Sequence, residues 1–193
     1  MKKRYCERFL FVFGAVCMLM TGCGARESSK MDTKDMTIRD ADFHTELFGD
    51  NTYIFSPEDE PEKVAGILDQ IYEKQEANQF GNERYAIYFM PGEYDESIEA
   101  NVGFYTQVAG LGDTKIESLQ CNARWLSDDP SNHNACCNFW RGVENIELKT
   151  NTVWAVSQAT FMRRVQVDGA LFLHDDYGWC SGGFLADSNT DLM

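Results

Sequence analysis

FWRGV at Phe139–Val143 and FMRRV at Phe161–Val165 share the pattern aromatic-x-Arg-x-Val, and the second segment begins 22 positions after the first. A further aromatic residue, Phe184, follows Phe161 after 23 positions. Each coil of a β-solenoid stacks its inward side chains on the coil below, so a nearly constant spacing is typical of that fold. A β-sandwich has strands about 8 to 12 residues apart and gives no reason for this repeat. The spacing therefore predicts an all-β chain wound as a parallel solenoid.

The chain from residue 84 onwards is rich in short strands. A clear example is Arg84–Met90, within the stretch ERYAIYFMPGEY (Glu83–Tyr94), where Pro91-Gly92 ends the strand. The other predicted strands are Asn51–Phe55, Val102–Ala109, Lys115–Gln120, Asn138–Leu148, Val153–Ser157, Phe161–Val167 and Leu171–Leu173. Because no helical patterns separate the strands after residue 84, a doubly wound α/β sheet is excluded.

One helix is predicted, from about Pro57 to Glu76. Its apolar residues recur at helical spacing, and they are Val64, Ile67, Leu68, Ile71 and Tyr72. Ser56 is predicted to be the N-cap, with Pro57 as the first helical residue. We expect the helix to cap the first coil, because an uncovered coil exposes a sheet edge that invites aggregation. The β-helix domain is then expected over residues 51–193, with its coils from about 84 to 193.

The N-terminal residues have the features of an export signal. Basic residues up to Arg8 precede about twelve apolar residues, Phe9–Met20, the length of a signal-peptide core. That block is too short to span a membrane as a helix. The next residues resemble a bacterial lipobox, which predicts lipidation of Cys23, removal of residues 1–22, and a flexible tether over 23–50. We therefore expect an extracytoplasmic protein that is lipid-anchored to the bacterial cell membrane; an ordinary secretory signal is the alternative.

The charge of the chain excludes two classes of partner. The formal net charge is -14. Residues 1–22 hold four basic residues and one acidic residue, so their removal lowers the charge to about -17. Such an acidic protein is a poor partner for nucleic acid and for anionic lipid.

Four cysteines lie beyond the predicted signal and lipid site, and they are Cys121, Cys136, Cys137 and Cys180. Two interpretations stay open: buried free thiols, or a bridge from Cys121 to Cys136 or Cys137. No C-x-x-C spacing is present, which argues against zinc. No metal or cofactor is predicted, except that calcium would be expected if the protein were a lyase.

Six segments form a recognisable set, namely Asn78–Ala86, Pro91–Tyr94, Asn101–Gly112, Asn138–Arg141, Trp154–Ala159 and Ser181–Ser188. They resemble the pectate-lyase-like right-handed parallel β-helix superfamily. They are similar, more narrowly, to a group of exported bacterial proteins often misnamed adenylyl cyclase or coagulation factor 5/8 type. The resemblance implies a right-handed parallel β-helix and an action on carbohydrate, and it implies no catalytic residue. Because such proteins continue well past this point, we expect a truncated product; a variant that covers its open end with a partner is the alternative.

The turn after the last long strand holds the richest group of polar side chains. Its candidate substrate-binding residues are Trp179, His174 and Tyr177, and the candidate catalytic residues are Asp175, Asp176 and the more distant Asp187. Glycoside hydrolysis needs two carboxyl groups about 5 to 9.5 Å apart. One interpretation is therefore a sugar cleft with an acid pair and a stacking aromatic. The other interpretation, which the Asp-Tyr-Gly composition favours, is a polar turn without chemistry.

Other aromatic and basic residues are also candidates. The tryptophans that could stack on sugar rings are Trp125, Trp140 and Trp154. Packing is the preferred interpretation for Trp140. Arg141 and Arg163 are predicted to share one position in successive coils, where they would pair with surface acids such as Glu144 or grip an acidic sugar.

Three functions follow from these features. The first is a surface-anchored lipoprotein that binds a polysaccharide or cell-surface glycan and, in full-length form, cleaves it as a glycoside hydrolase or polysaccharide lyase. The second is a non-enzymatic adhesion or interaction module, and the third is a truncated inactive fragment. Paired acids on adjacent coils would favour the enzyme, whereas an exposed aromatic row without them would favour binding.

Overall fold

The protein folds as a parallel β-helix. The computed structural model describes residues 48–123 and 131–192. The predicted signal peptide, the lipidation site Cys23, most of the tether and Trp125 lie outside the described residues. Every strand pairing in the described part is parallel, which confirms the all-β solenoid.

The described part contains twelve strands and the helix α1 (Pro61–Gln75). The strands are β1 (Thr52–Phe55), β2 (Tyr85–Phe89), β3 (Gly92–Glu93), β4 (Glu99–Asn101), β5 (Thr106–Gly110), β6 (Thr114–Ile116), β7 (Ser118–Cys121), β8 (Arg141–Leu148), β9 (Thr152–Trp154), β10 (Phe161–Phe172), β11 (Phe184–Ala186) and β12 (Asn189–Leu192).

The strands stack into three faces that surround the core. Face 1 contains β1, β2, β5, the first parts of β8 and β10, and β11. Face 2 contains β3, β6, the later part of β8, the middle of β10 and the start of β12. Face 3 contains β4, β7, β9 and the ends of β10 and β12. A complete coil thus passes once through each face.

In strands such as β1, β2, β6 and β9, every second residue is buried in the core, as the period of a β-strand requires. On face 1, the residues Ile87, Val108, Val143 and Met162 stand above one another in register. Each is at most 1% exposed. Burying an apolar side chain of this size stabilises the fold by about 1.5–3 kcal/mol, so stacking in register is the main source of stability for each added coil.

The helix begins at Pro61 rather than at Pro57, and it ends at Gln75. The predicted capping residues are used differently: Ser56 donates its backbone N–H to Asp59 Oδ2 at 2.6 Å, which closes a turn before the helix. Pro61 then takes the first-turn position that proline favours. The buried face is the predicted one, with Val64, Ile67, Leu68 and Ile71, and it packs beside β4.

No helix of the described part is long and apolar enough to cross a membrane.

Only one of the two sequence intervals that predicted the solenoid corresponds to the length of a coil. Phe184 pairs with Phe161, as their interval in the sequence predicts. Phe161, however, pairs with Gly142 and not with Phe139, so this coil advances by 19 positions instead of 22. Other coils advance by 21 positions from β2 to β5 and by 35 from β5 to β8. Coil length varies because loops are inserted between faces, whereas the strands must still stack.

The prediction that two arginines share one position is therefore wrong. Arg163 stands opposite Glu144 in the coil below, whereas Arg141 stands opposite Thr106. Arg163 points to solvent and Arg141 is buried. The matching letters of FWRGV and FMRRV belong to different positions of the coil.

Two corners of the coil carry residues in the left-handed conformation. The corner before face 1 has Tyr105, Trp140, Ala159 and Gly182, with φ of 54°, 56°, 60° and 90°. The corner between faces 1 and 2 has Asn145, Arg164 and Asp187, with φ of 56°, 51° and 50°. This conformation costs a non-glycine residue about 1–2 kcal/mol. Its recurrence in successive coils indicates that the corner geometry imposes it, and it aligns the corner side chains in columns.

Candidate functional site

An open groove of about 850 Å³ runs along the outer surface of face 1. Its walls and floor are Phe48, Gly49, Asp50, Asn51, Thr52, Arg84, Tyr85, Ala86, Tyr105, Thr106, Gln107, Trp140, Arg141, Gly142, Ala159 and Phe161. We call it the face-1 groove. It crosses successive coils, so a ligand in it would lie along the axis of the solenoid.

The floor of the groove is the outward row of face 1. Ala86, Gln107, Gly142 and Phe161 follow one another in register along this row. A Cβ atom at Gly142 would lie 2.4 Å from the Phe161 ring, so the ring rests directly on the glycine backbone. Glycine at this position is what allows the aromatic ring to approach the floor so closely.

One wall of the groove is a stack of side chains that we call the aromatic column. The guanidinium carbon of Arg84 lies 3.5 Å from the centre of the Tyr105 ring. The rings of Tyr105 and Trp140 are stacked at 6.4 Å with an interplanar angle of 21°. Trp140 remains 55% exposed. The packing preferred for Trp140 is thus present on one side of the indole, and the exposure needed for a sugar platform is present as well.

Polar groups beside the groove orient one amide. Gln107 Nε2 donates to Glu144 Oε1 at 3.1 Å. The other oxygen, Glu144 Oε2, lies 2.8 Å from Arg163 Nη2 and 3.5 Å from Arg164 Nη2. Because a carboxylate only accepts hydrogen bonds, the Gln107 amide nitrogen must face Glu144. The Gln107 carbonyl oxygen is then the atom available to a ligand in the groove.

Arg141 supports the groove from beneath. It is 3% exposed, and it donates from Nη1 to the carbonyl oxygen of Val102 and from Nη2 to Asn138 Oδ1. Its guanidinium carbon lies 4.7 Å from the centre of the Phe104 ring, and Nη1 lies 3.4 Å from Cys121 Sγ. These contacts make Arg141 a structural residue, so its predicted pairing with a surface acid is wrong. The pairing predicted for Arg163 with Glu144 is confirmed.

The predicted site after β10 is a turn over residues 173–180 that is fastened to residues 131–135. Asp175 Oδ2 accepts the N–H of Ala123 at 2.9 Å, and Asp175 Oδ1 lies 3.5 Å from His133 Nδ1. Asp176 Oδ2 lies 3.6 Å from His133 Nε2. Asp175 therefore acts as a fastener, which agrees with the interpretation as a polar turn.

The aromatic residues of this turn are outside the groove. The rings of His174 and Tyr177 stack at 4.8 Å. Tyr177 and Trp179 are 86% and 76% exposed, so they form a second exposed aromatic surface. Their role in substrate binding stays a prediction.

The structure does not bring Asp187 to the other two candidate acids. Asp187 lies at the corner between β11 and β12, one coil above Arg164, whereas Asp175 and Asp176 follow face 3. The catalytic role of these acids stays a prediction. Trp154 is 3% exposed and belongs to the core, so it is no sugar platform.

Among residues 48–123 and 131–192, no group of three or more His, Cys, Asp or Glu side chains is placed to hold a metal ion. Calcium, expected only for a lyase, stays a prediction.

All four described cysteines are free thiols, so neither of the two possible bridges from Cys121 is formed. Cys121 is fully buried, and this burial raises the pKa of its thiol. Cys136 is exposed.

Sequence reasoning missed most of the groove. Tyr105, Gln107 and Arg84 drew no attention because Arg84 lies in a different predicted strand from the other two, and the sequence does not give the register between those strands. A signal did exist: Tyr105 directly precedes the Thr106 strand, and Trp140 directly precedes the Arg141 strand. An aromatic residue immediately before each of two neighbouring face-1 strands indicates a column, but only once the register is known.

The chain is similar to a curated exo-β-1,3-glucanase of Streptomyces sp. (strain SirexAA-E / ActE), with 45% identity over 153 residues. The match covers 74% of this chain and 24% of the glucanase. The chain therefore spans about a quarter of the length of this relative. No known family profile matches the chain.

Two solved structures resemble the chain, and both are of sacteLam55A from Streptomyces sp. SirexAA-E. The first has a TM-score of 0.64 and 45% identity, and it covers 72% of this chain and 25% of that protein. The second is a variant in complex with glucose, with a TM-score of 0.66 and 40% identity over 79% of this chain and 27% of that protein. These similarities agree with the β-helix fold and associate it with proteins that act on or bind carbohydrate.

Proposed function

We propose that the chain binds β-1,3-linked glucan in the face-1 groove. The observation that carries the proposal is the 45% identity with an exo-β-1,3-glucanase over 153 residues. At this identity the matched region should share its backbone with the glucanase, and a solved structure with 45% identity resembles 72% of this chain. We also propose that the chain belongs to the group of exported bacterial β-helix proteins that its six segments resemble.

The shape and chemistry of the groove suit a sugar chain. Ligand sites combine apolar and aromatic walls with a few placed polar groups. Here Trp140 and Phe161 offer ring faces on which the C–H side of a pyranose can pack, and the Gln107 carbonyl oxygen can accept a hydroxyl. The groove crosses several coils, which matches an extended polymer better than a small compact ligand.

Hydrolysis of the glucan is the finer part of the proposal. The chain spans about a quarter of the glucanase, and Glu144, the carboxylate that contacts the groove floor, is engaged by Gln107 and two arginines. The exposed indole of Trp140 in the aromatic column favours binding as the activity of this chain, so a non-enzymatic glycan-binding module is the second candidate function. Release of reducing sugar from soluble β-1,3-glucan separates the two candidates.

We expect Trp140→Ala to weaken binding of a β-1,3-linked glucohexaose about tenfold, which corresponds to about 1.4 kcal/mol and lies near the upper end of what one aromatic contact contributes. Isothermal titration calorimetry measures the change. The matched control is Trp179→Ala, which removes an equally large exposed indole from the 173–180 turn and should leave the affinity unchanged.

Two results would contradict the proposal. Loss of binding with Trp179→Ala and not with Trp140→Ala would move the site to the 173–180 turn. Equal binding of a β-1,4-linked glucohexaose would remove the assignment to β-1,3-linked glucan.

We further propose that Cys23 carries a lipid that anchors the protein outside the cytoplasm. The support is the basic and apolar pattern of residues 1–22 before a cysteine. We expect full-length protein expressed in bacteria to incorporate an alkyne-labelled fatty acid, and Cys23→Ser to abolish the label. Persistent labelling of Cys23→Ser would contradict lipidation at this residue.

A further inference from the structure

We infer that one pyranose ring of the ligand stacks on the face of Trp140 that is turned away from Tyr105, in space that Ala159 leaves in the aromatic column. The inference rests on the proposed function, because it assigns a place to one sugar of the glucan.

The column has one position per coil. Tyr105 and Trp140 each directly precede a face-1 strand, and Thr106 pairs with Arg141. Ala159 lies two residues before Phe161, just as Trp140 lies two residues before Gly142, and these two strand residues pair. All three corner residues are left-handed, with φ of 54°, 56° and 60°. Ala159 is therefore the next member of the column.

The side chain at this next position is too small to continue the stack. Neighbouring strands are about 4.8 Å apart, and stacked rings lie about 4.5–7 Å apart, so one coil leaves room for one ring. Tyr105 fills that room below Trp140. Ala159 supplies a single methyl group above it, which leaves Trp140 55% exposed although it belongs to a packed column.

The left-handed backbone conformation of Ala159 supports the inference that this space is used. Alanine gains nothing from a left-handed φ, which Asn, Asp or Gly would adopt more readily. The corner geometry thus imposes the φ value, and a small residue occupies a position where the two coils below carry aromatic rings. Both Trp140 and Ala159 line the face-1 groove, so the vacancy opens toward the proposed ligand.

A sugar ring fits this vacancy chemically as well as sterically. The C–H side of a pyranose is apolar and can cover the exposed indole face, and its rim carries hydroxyl groups. Gln107 also lines the groove. Because its Nε2 donates to Glu144, its carbonyl oxygen can accept one of those hydroxyls.

Filling the vacancy with a protein ring tests the inference. Ala159→Tyr should continue the column, occupy the indole face and weaken binding of the β-1,3-linked glucohexaose at least tenfold. Ala159→Ser, the matched small variant, should bind within twofold of the wild type. Binding is measured by isothermal titration calorimetry, and tryptophan fluorescence reports whether the ligand still reaches the indole.

The outcomes separate the two levels of the proposal. If Ala159→Tyr binds as tightly as the wild type, the subsite is overturned and the groove assignment stands. If the wild type does not bind the glucohexaose at all, both fail. Should Ala159→Tyr not fold by circular dichroism, Ala159→His takes its place, because histidine tolerates the left-handed region better and still presents a ring.

Discussion

Arg141→Ala is expected to lower the free energy of unfolding by about 3 kcal/mol, because its guanidinium holds several buried groups together. The substitution leaves the carbonyl oxygen of Val102 and Asn138 Oδ1 without their buried donor, and each orphaned acceptor costs about 1–3 kcal/mol. It also opens a cavity beside the Phe104 ring, which adds to the loss. Relief of the desolvation cost of the guanidinium offsets part of this total. Urea unfolding followed by circular dichroism measures the change.

Arg163→Ala is the matched control for this experiment. Arg163 has the same side chain in the neighbouring coil, but it is exposed and pairs with Glu144 at the surface. Surface ion pairs contribute about 0.2–1 kcal/mol, so the control should change stability by less than about 1 kcal/mol. If the two variants were equally stable, the buried contacts of Arg141 would contribute nothing net to the fold.

Gln75→Ala is expected to destabilise the protein by about 2–3 kcal/mol, because Gln75 joins the helix to the first coil. Its side chain is fully buried. Gln75 Nε2 donates to the carbonyl oxygens of Phe104 and Glu83 at 2.6 and 3.2 Å, and the Gln75 carbonyl oxygen accepts the N–H of Phe104 at 2.8 Å. A Cβ atom at Gly103 would lie 2.6 Å from Gln75 Cβ, so the two segments are in direct contact.

Lys74→Ala is the control for the helix junction, since Lys74 is exposed in the same helical turn and its loss should cost less than about 0.5 kcal/mol. Hydrogen exchange gives a second reading. In Gln75→Ala the amides of α1 should exchange faster than those of β8, because the junction opens before the coils do. Uniform acceleration over both elements would show that α1 and the coils unfold as one unit and that Gln75 is no special link.

Several features followed from local patterns that tertiary packing did not override. The apolar face of α1, with Val64 and Ile71, was readable because a period of 3.6 residues needs no partner to be seen. The strand around Ile87 was equally clear, since its alternation is confined to one segment. The location of Phe184 above Phe161 also followed, because their interval in the sequence is the length of that coil.

Two other features could not be predicted correctly from the sequence, each for a physical reason. The position of Arg141 depends on pairing with Thr106, a residue 35 positions earlier, and the inserted loop before Arg141 hides that interval. The start of α1 was predicted four residues too early because Pro57 and Pro61 both satisfy the rule for a first helical turn. The turn closed by Ser56 and Asp59 occupies the earlier position, so the helix begins at Pro61.

The amino-acid sequence alone determined that this chain forms an all-β solenoid with one amphipathic helix, because side-chain periodicity is a local property of each segment. Only the tertiary structure decided which outward side chains form a site. Tyr105, Trp140 and Ala159 come together because two coils of very different length bring their corners into one column. Register is fixed by the stacking of inward residues such as Val108 on Val143, and a loop of any length can be inserted without changing it. Sequence distance therefore carries little information about which surface residues of a β-helix are neighbours.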